Sequence, residues 1–123
     1  MGEMTANVLI VDDDPSIRLL FRRAFEREGA DVEEAEDGDD GIDAAVRGLP
    51  DLVVLDVAMP RRDGLSVLPE LRSRCPQASV LIVTAFGNPE TFDEARRLGA
   101  AKCFNKWDFL GEIPAVLEER RVS

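Results

Sequence analysis

The stretch DLVVLDVAMP, Asp51 to Pro60, decides the fold. Leu52, Val53, Val54 and Leu55 are apolar without a break. A strand with one face in water alternates apolar and polar side chains. An unbroken run means that both faces are covered, as in a central strand of a parallel sheet. Asp56 closes the run. Open α/β sheets bind their ligands at the carboxyl ends of strands, so a carboxylate here is a candidate site residue. By itself it reads equally well as an acid that starts a loop.

The flanking chain repeats the pattern. Val8 to Val11 is a second unbroken apolar run, and it ends in Asp12, Asp13 and Asp14. Asp14-Pro15 has the chemistry of an N-cap followed by the first helical position. Ile17, Leu20, Phe21, Ala24 and Phe25 follow at helical spacing, and Gly29 supplies the stop. Asp31 to Ala35 is a weaker strand, with Val32 and Ala35 among acids, which places it at a sheet edge. Asp37 to Asp40 reads as a turn, then Ile42, Ala45 and Val46 mark a short helix ending near Gly48 and Pro50. The acids from Asp31 to Asp43 read as a solvated face, since their spacing fits no EF-hand calcium loop.

Beyond Asp56, Met59-Pro60 and Asp63-Gly64 bracket a tight loop, with Met59 read as loop packing. Leu65 to Arg74 is predicted as a helix despite Pro69. Val80 to Val83 is the fourth strand, ending in Thr84-Ala85. Pro89 to Leu98 is a helix with Phe92 and Ala95 inward, stopped by Gly99. Lys102 to Asn105 is a fifth strand ending at Lys106, and a last helix runs to about Arg121. Five strands alternating with helices over short connections predict a doubly wound parallel sheet, helices on both faces, in the flavodoxin-like order 2-1-3-4-5. Residues 1–123 read as one domain.

Composition narrows the chemistry. The formal net charge of -10 disfavours nucleic acid and anionic lipid as partners. No apolar run is long enough for a membrane span. Cys75 and Cys103 form no metal or disulfide framework, so a reducing cytoplasm is the default compartment. The chain has no histidine, which excludes a Ser-His-Asp triad and any His-ligated metal. Carboxylates, hydroxyls, lysine and a metal are what remain.

In the order 2-1-3-4-5, the carboxyl ends of strands 1, 3, 4 and 5 carry Asp12 and Asp13, Asp56, Thr84 and Lys106 around one crevice. Clustered carboxylates repel one another unless a cation joins them. Carboxylates plus a backbone carbonyl suit Mg²⁺. A carboxylate is also a possible nucleophile toward phosphorus, with the metal, an ammonium and a hydroxyl balancing charge on the transferred group.

At this point the whole chain resembles a response-regulator receiver domain of bacterial two-component signalling. The residues that carry the resemblance are LIVDDD at Leu9 to Asp14, VVLDVAMPRRDG at Val53 to Gly64, VTA at Val83 to Ala85, and Lys106. Each motif alone is weak; together, each at a strand end, they are specific. The resemblance implies Asp56 as phosphoacceptor. It implies Asp13, Asp56 and the Ala58 carbonyl as Mg²⁺ ligands, with Asp12 acting mostly through water. It implies Thr84 and Lys106 as phosphoryl contacts, with Ala85 beside them. Ala58 and Phe86 occupy two variable positions next to the site. The implied partners are a histidine kinase or phosphotransfer protein as donor and a downstream protein or output domain as recipient. Such a domain catalyses its own phosphorylation and dephosphorylation and is not a separate enzyme. Since the chain ends just after the last helix, it reads as a stand-alone regulator or a receiver cut from a longer one.

Three positions depart from the family pattern. Cys103 stands where an aromatic is usual, with Phe104 on the opposite strand face. Trp107 follows the lysine where Pro is usual, and Pro114 falls in the last helix. The usual inward aromatic step is therefore expected to be absent, and the last helix to start late enough to tolerate Pro114. The Lys106–Trp107 peptide is expected to be trans, because cis before a residue other than Pro costs about 2.5–4 kcal/mol, and the loop around it displaced. Cys103 reads as a packing residue and Trp107 as a partly exposed partner contact. The arginine pairs at Arg22-Arg23, Arg61-Arg62, Arg96-Arg97 and Arg120-Arg121 read as solvated faces. Other readings are a degenerate receiver used only for binding, or a haloacid-dehalogenase-type phosphohydrolase with Asp12 as nucleophile. A flavin protein lacks support, because acids after strand 1 would repel its phosphate.

Overall fold

A computed structural model describes residues 5–85 and 87–122, with side chains through residue 119. Phe86 and the side chains of Arg120 and Arg121 lie outside the described residues. Strands β1 (Asn7–Val11), β2 (Asp31–Ala35), β3 (Leu52–Leu55), β4 (Ser79–Thr84) and β5 (Lys102–Asn105) alternate with helices α1 (Pro15–Arg27), α2 (Gly38–Gly48), α3 (Gly64–Arg74), α4 (Pro89–Arg97) and α5 (Lys106–Val122). The sheet is parallel, in the order β2-β1-β3-β4-β5. This is the flavodoxin-like arrangement expected from the sequence, with the acidic β2 at an edge.

Alternation along the strands splits the core in two. Val8, Ile10, Leu52, Val54, Leu81 and Val83 pack with Phe21, Phe25, Phe109 and Ile113 on the α1/α5 face. Leu9, Val11, Val53, Leu55, Val80 and Ile82 pack with Ile42, Val67, Leu68 and Ala95 on the other face. Both faces being covered is why the runs are unbroken. Each large apolar side chain so buried contributes roughly 1.5–3 kcal/mol relative to exposure.

Register carries the site residues to one edge. Val11 pairs with Leu55, so Asp12 and Asp56 leave the sheet side by side. Their amides continue the ladder, Asp12 N–H to the Ala35 carbonyl (3.2 Å) and Asp56 N–H to the Val11 carbonyl (3.0 Å). Thr84 pairs with Asn105, the residue before Lys106.

Local chemistry sets the helix ends. The Asp14 carboxylate accepts from the Ser16 and Ile17 amides, and Pro15 follows it. Gly29 adopts φ 91°, the left-handed conformation that glycine takes without a Cβ penalty. Asp63 and Asn88 cap α3 and α4 in the same way.

Several expectations are corrected. Asp37 to Asp40 is not a separate turn: Asp37 is the N-cap of α2, and Asp39 and Asp40 lie in its first turn, where acids complement the helix dipole. Leu20 is 46% exposed, because Phe21 and Phe25 define the buried stripe and 100° per residue puts Leu20 on its flank. Pro69 lies inside α3 as expected, and Pro114 lies well inside α5. Both prolines are exposed, and each lacks the N–H that would serve the carbonyl four residues earlier, that of Leu65 or Leu110. No loop separates β5 from α5, which starts at Lys106 itself rather than late; the Lys106–Trp107 bond is trans as expected.

Gly64, the first residue of α3, ties packing to the site. A Cβ there would lie 2.2 Å from the Asp56 carbonyl oxygen, a backbone atom with no rotamer to escape through. Gly64→Ala is expected to destabilise the domain by about 1–3 kcal/mol in urea unfolding. An unchanged midpoint would show that the Asp56 backbone moves aside freely.

Candidate functional site

Asp12 and Asp56 are both 3% exposed, as is Thr84. Each carboxylate spends one oxygen on its own turn. Asp12 Oδ1 accepts from the Asp14 amide at 2.8 Å, and Asp56 Oδ1 accepts from the Ala58 amide at 3.2 Å. The second oxygen of each faces one cation. Lys106 Nζ stands 2.8 Å from Asp12 Oδ2 and 3.0 Å from Asp56 Oδ2. Asp13 is exposed, yet carboxylate oxygens of Asp12, Asp13 and Asp56 lie within 4.8 Å of one another. Three carboxylates against one ammonium leave a net negative crevice suited to a small divalent ion.

The electrostatics follow from burial. Burial pushes the Asp56 carboxyl above the usual carboxylate range; the Lys106 hydrogen bond opposes this and the Asp12 charge adds to it. Burial by itself would lower the Lys106 ammonium, but the hydrogen bonds and charges of Asp12 and Asp56 outweigh it and the net shift is upward.

The structure thus brings Asp12, Asp13, Asp56 and Lys106 together. Thr84 ends β4 beside them, with Ala85 half-buried after it. Ala58 contacts Asp56 through its amide, on an exposed loop held at both ends. The Gly64 amide donates to the Val57 carbonyl at 2.9 Å, and Arg61 pairs with Asp37 at 3.0 Å. Glu36, Asp37 and Asp40 also cluster, but none is buried, and they belong to the start of α2.

Sequence reasoning missed Arg18. Its Nη1 donates to the Asp12 carbonyl at 2.7 Å and its Nε to Glu34 at 2.9 Å. A cation one turn into the helix that follows an acid triplet was the available signal. The described arginine pairs are more than solvated faces. Arg22 pairs with Glu26 and Glu34, Arg62 with Asp39 and Glu70, Arg96 with Asp93 and Arg97 with Glu94. Trp107 is 77% exposed, more than expected. Cys75 and Cys103 are free thiols, both pushed up by burial and so not reactive thiolates. Among the described residues no helix is long and apolar enough to cross a membrane.

Comparison with known proteins agrees with this geometry. A family profile described as the response regulator receiver domain matches residues 8–117. The chain belongs to the response regulator receiver domain family of two-component signalling. It is 35% identical over 110 residues to sporulation initiation phosphotransferase F of Bacillus subtilis, covering 89% of each chain. It is 44% identical over 82 residues to response regulator MprA of Mycobacterium sp. (strain KMS), covering 67% of this chain but 36% of that longer protein. Among solved structures, Vibrio cholerae chemotaxis protein CheY4 superposes with a TM-score of 0.86 at 28% identity, covering 94% of this chain and 98% of that one.

The raised Asp56 group has a stability consequence. The folded state holds this proton more tightly than the unfolded state, so its ionisation weakens the fold as pH rises through the carboxylate range. In metal-free buffer, Asp56→Asn is expected to raise the thermal midpoint at pH 7, with the gain shrinking as pH falls toward 4 and wild-type Asp56 takes up its proton. Lys106 has the same pH sign, although here the charged form is the stabilising one: its contribution is complete below about pH 10 and is lost as pH rises through its raised value. Lys106→Met, which leaves two buried carboxylates without their cation, is expected to cost about 3–5 kcal/mol at neutral pH. Thermal unfolding of wild type and both variants between pH 4 and 11 checks the signs.

Proposed function

We propose that Asp56 accepts a phosphoryl group from a phosphorylated histidine on a histidine kinase or phosphotransfer protein, in a Mg²⁺-dependent reaction. The observation that carries this reading is the buried Asp56 carboxylate, joined through Lys106 to Asp12 with Asp13 alongside. The name of the Bacillus relative, a phosphotransferase of sporulation initiation, fits the same chemistry.

Asp13, Asp56 and the Ala58 carbonyl would hold the ion, with Asp12 acting through water. Bound there, Mg²⁺ supplies charge neutralisation for the transferred group and aligns it with the acceptor. One Asp56 oxygen attacks phosphorus as the bond to the donor nitrogen breaks, and the imidazole leaves with the electron pair. Burial raises the basicity of Asp56 and so favours it as nucleophile. Lys106 exchanges a carboxylate partner for a phosphoryl oxygen, and the Thr84 hydroxyl donates a charge-assisted hydrogen bond to another. Attack of water on the same phosphorus returns the free carboxylate. The domain thereby regulates its own phosphorylation lifetime and turns over no separate substrate. Its output is a changed protein-binding surface, read by a downstream protein or output domain. An acidic surface and two free cysteines suit a cytoplasmic partner that is neither nucleic acid nor membrane.

Labelling with a small acyl phosphate or beryllofluoride and Mg²⁺ is expected in wild type and in Asp12→Asn at a reduced rate, and to vanish in Asp56→Asn. Label kept in Asp56→Asn but lost in Asp12→Asn would move the nucleophile to β1 and favour the hydrolase reading. No label in any form would favour a binding-only domain.

The departures on β5 shape the switch. Phe104 packs against Phe109 at 5.2 Å on the α1/α5 face. Cys103 sits on the other face, its Sγ 3.8 Å from the Phe92 carbonyl. A thiol is too small to fill space vacated by Thr84. Phe104 is therefore expected to keep its Phe109 contact in the beryllofluoride-bound form, checked by ring cross-peaks in NMR. Loss of those cross-peaks with Phe104 turned toward Thr84 would sink this account.

A further inference from the structure

Asp12 is tied at four points. Its amide donates to the Ala35 carbonyl at 3.2 Å, Oδ1 accepts from the Asp14 amide at 2.8 Å, and Oδ2 faces Lys106 Nζ at 2.8 Å. The fourth tie comes from α1: Arg18 Nη1 donates to the Asp12 carbonyl at 2.7 Å. This arginine is anchored at its other side. Its Nε donates to Glu34 Oε1 at 2.9 Å, and the second oxygen of Glu34 accepts from Arg22 Nη1 at 2.7 Å. The Arg18 side chain is 15% exposed against 37% for Arg22. Glu34 on the edge strand therefore holds two arginines from successive turns of α1, and of the two the structure gives the Asp12 contact to Arg18.

The Asp12 carbonyl belongs to the peptide that joins Asp12 to Asp13. A peptide is planar, so fixing this oxygen fixes the plane from which the Asp13 Cα and carboxylate depart. Asp13 has no comparable restraint from burial, being exposed. We propose that Arg18 is a positioning residue for the Mg²⁺ site, holding the Asp12–Asp13 peptide so that the Asp13 carboxylate faces Asp56. Arg18 touches neither the ion nor the reacting atoms. This inference rests on the reading of Asp13 and Asp56 as Mg²⁺ ligands.

Electrostatics and positioning predict opposite signs, which makes the inference testable. A guanidinium near a cation site repels Mg²⁺, so charge removal by itself would tighten binding. Loss of a residue that orients a ligand weakens it, typically by about tenfold or more. Arg22 is the internal control, because its removal costs the same Glu34 an arginine without touching the Asp12 carbonyl.

The experiment is Mg²⁺ titration by calorimetry, with amide shifts of residues 12–14 and 56–58, on wild type, Arg18→Met, Arg18→Lys, Arg22→Met and Arg22→Lys. Arg18→Met is expected to bind Mg²⁺ roughly tenfold more weakly, and Arg22→Met within about twofold of wild type, as a partly exposed ion pair allows. If Arg18→Met does not fold, the lysine pair decides: Arg18→Lys, which cannot serve Glu34 and the carbonyl together, is expected to bind more weakly than Arg22→Lys. Binding by the Arg18 variants that matches or exceeds the Arg22 variants overturns the inference and leaves the Mg²⁺ reading intact. No Mg²⁺ response in wild type overturns both.

Discussion

The ammonium of Lys106, 2.8 Å from Asp12 and 3.0 Å from Asp56, is the contact on which the rest of the arrangement turns. Two buried carboxylates side by side repel strongly in a medium less polar than water. One lysine relieves that repulsion without cancelling it, and Asp13 restores the deficit. The site is thus held together in its resting form while remaining short of positive charge. Such a crevice, three carboxylates against one ammonium, has the charge suited to a small divalent ion.

That balance depends on backbone placement more than on the side chains themselves. Parallel register brings the ends of β1 and β3 level, and the turns that follow each consume one carboxylate oxygen. The remaining oxygens have nowhere to aim except the crevice where Lys106 enters. Close packing enforces the geometry from below. Gly64 lies against the Asp56 carbonyl, and Arg18 spans from Glu34 on the edge strand to the Asp12 carbonyl. The buried members of the site, Asp12 and Asp56, are backed by core and helix, while Asp13 on its open side is exposed.

The junction of β5 and α5 departs from the family pattern at Cys103 and Trp107. With no loop between β5 and α5, Lys106 directly follows the last strand residue Asn105 and is the first residue of the helix, and Trp107 projects into solvent from the same turn. Helix α5 buries Phe109, Ile113, Val116 and Leu117 against the sheet, while Trp107 and Leu110 remain exposed.

The unbroken runs at Val8–Val11, Leu52–Leu55 and Val80–Val83 by themselves required strands covered on both faces, and an acid or hydroxyl at each end placed the site at one edge. Those features are local in the chain, so periodicity and capping chemistry reveal them. Helix boundaries near acids and prolines were less legible. Whether Asp37–Asp40 is turn or helix, and whether α5 starts late enough to put Pro114 in its first turns or already at Lys106, depends on packing that a local pattern does not contain. Arg18 shows the same limit more sharply. As a residue it is one arginine among many; its role exists because β2 lies beside β1 and brings Glu34 within 2.9 Å. Local patterning in the chain assigns these groups to the strand ends. That one ammonium serves two carboxylates follows from the fold, since the pairing spans residues far apart in the chain whose approach is set by strand order and register.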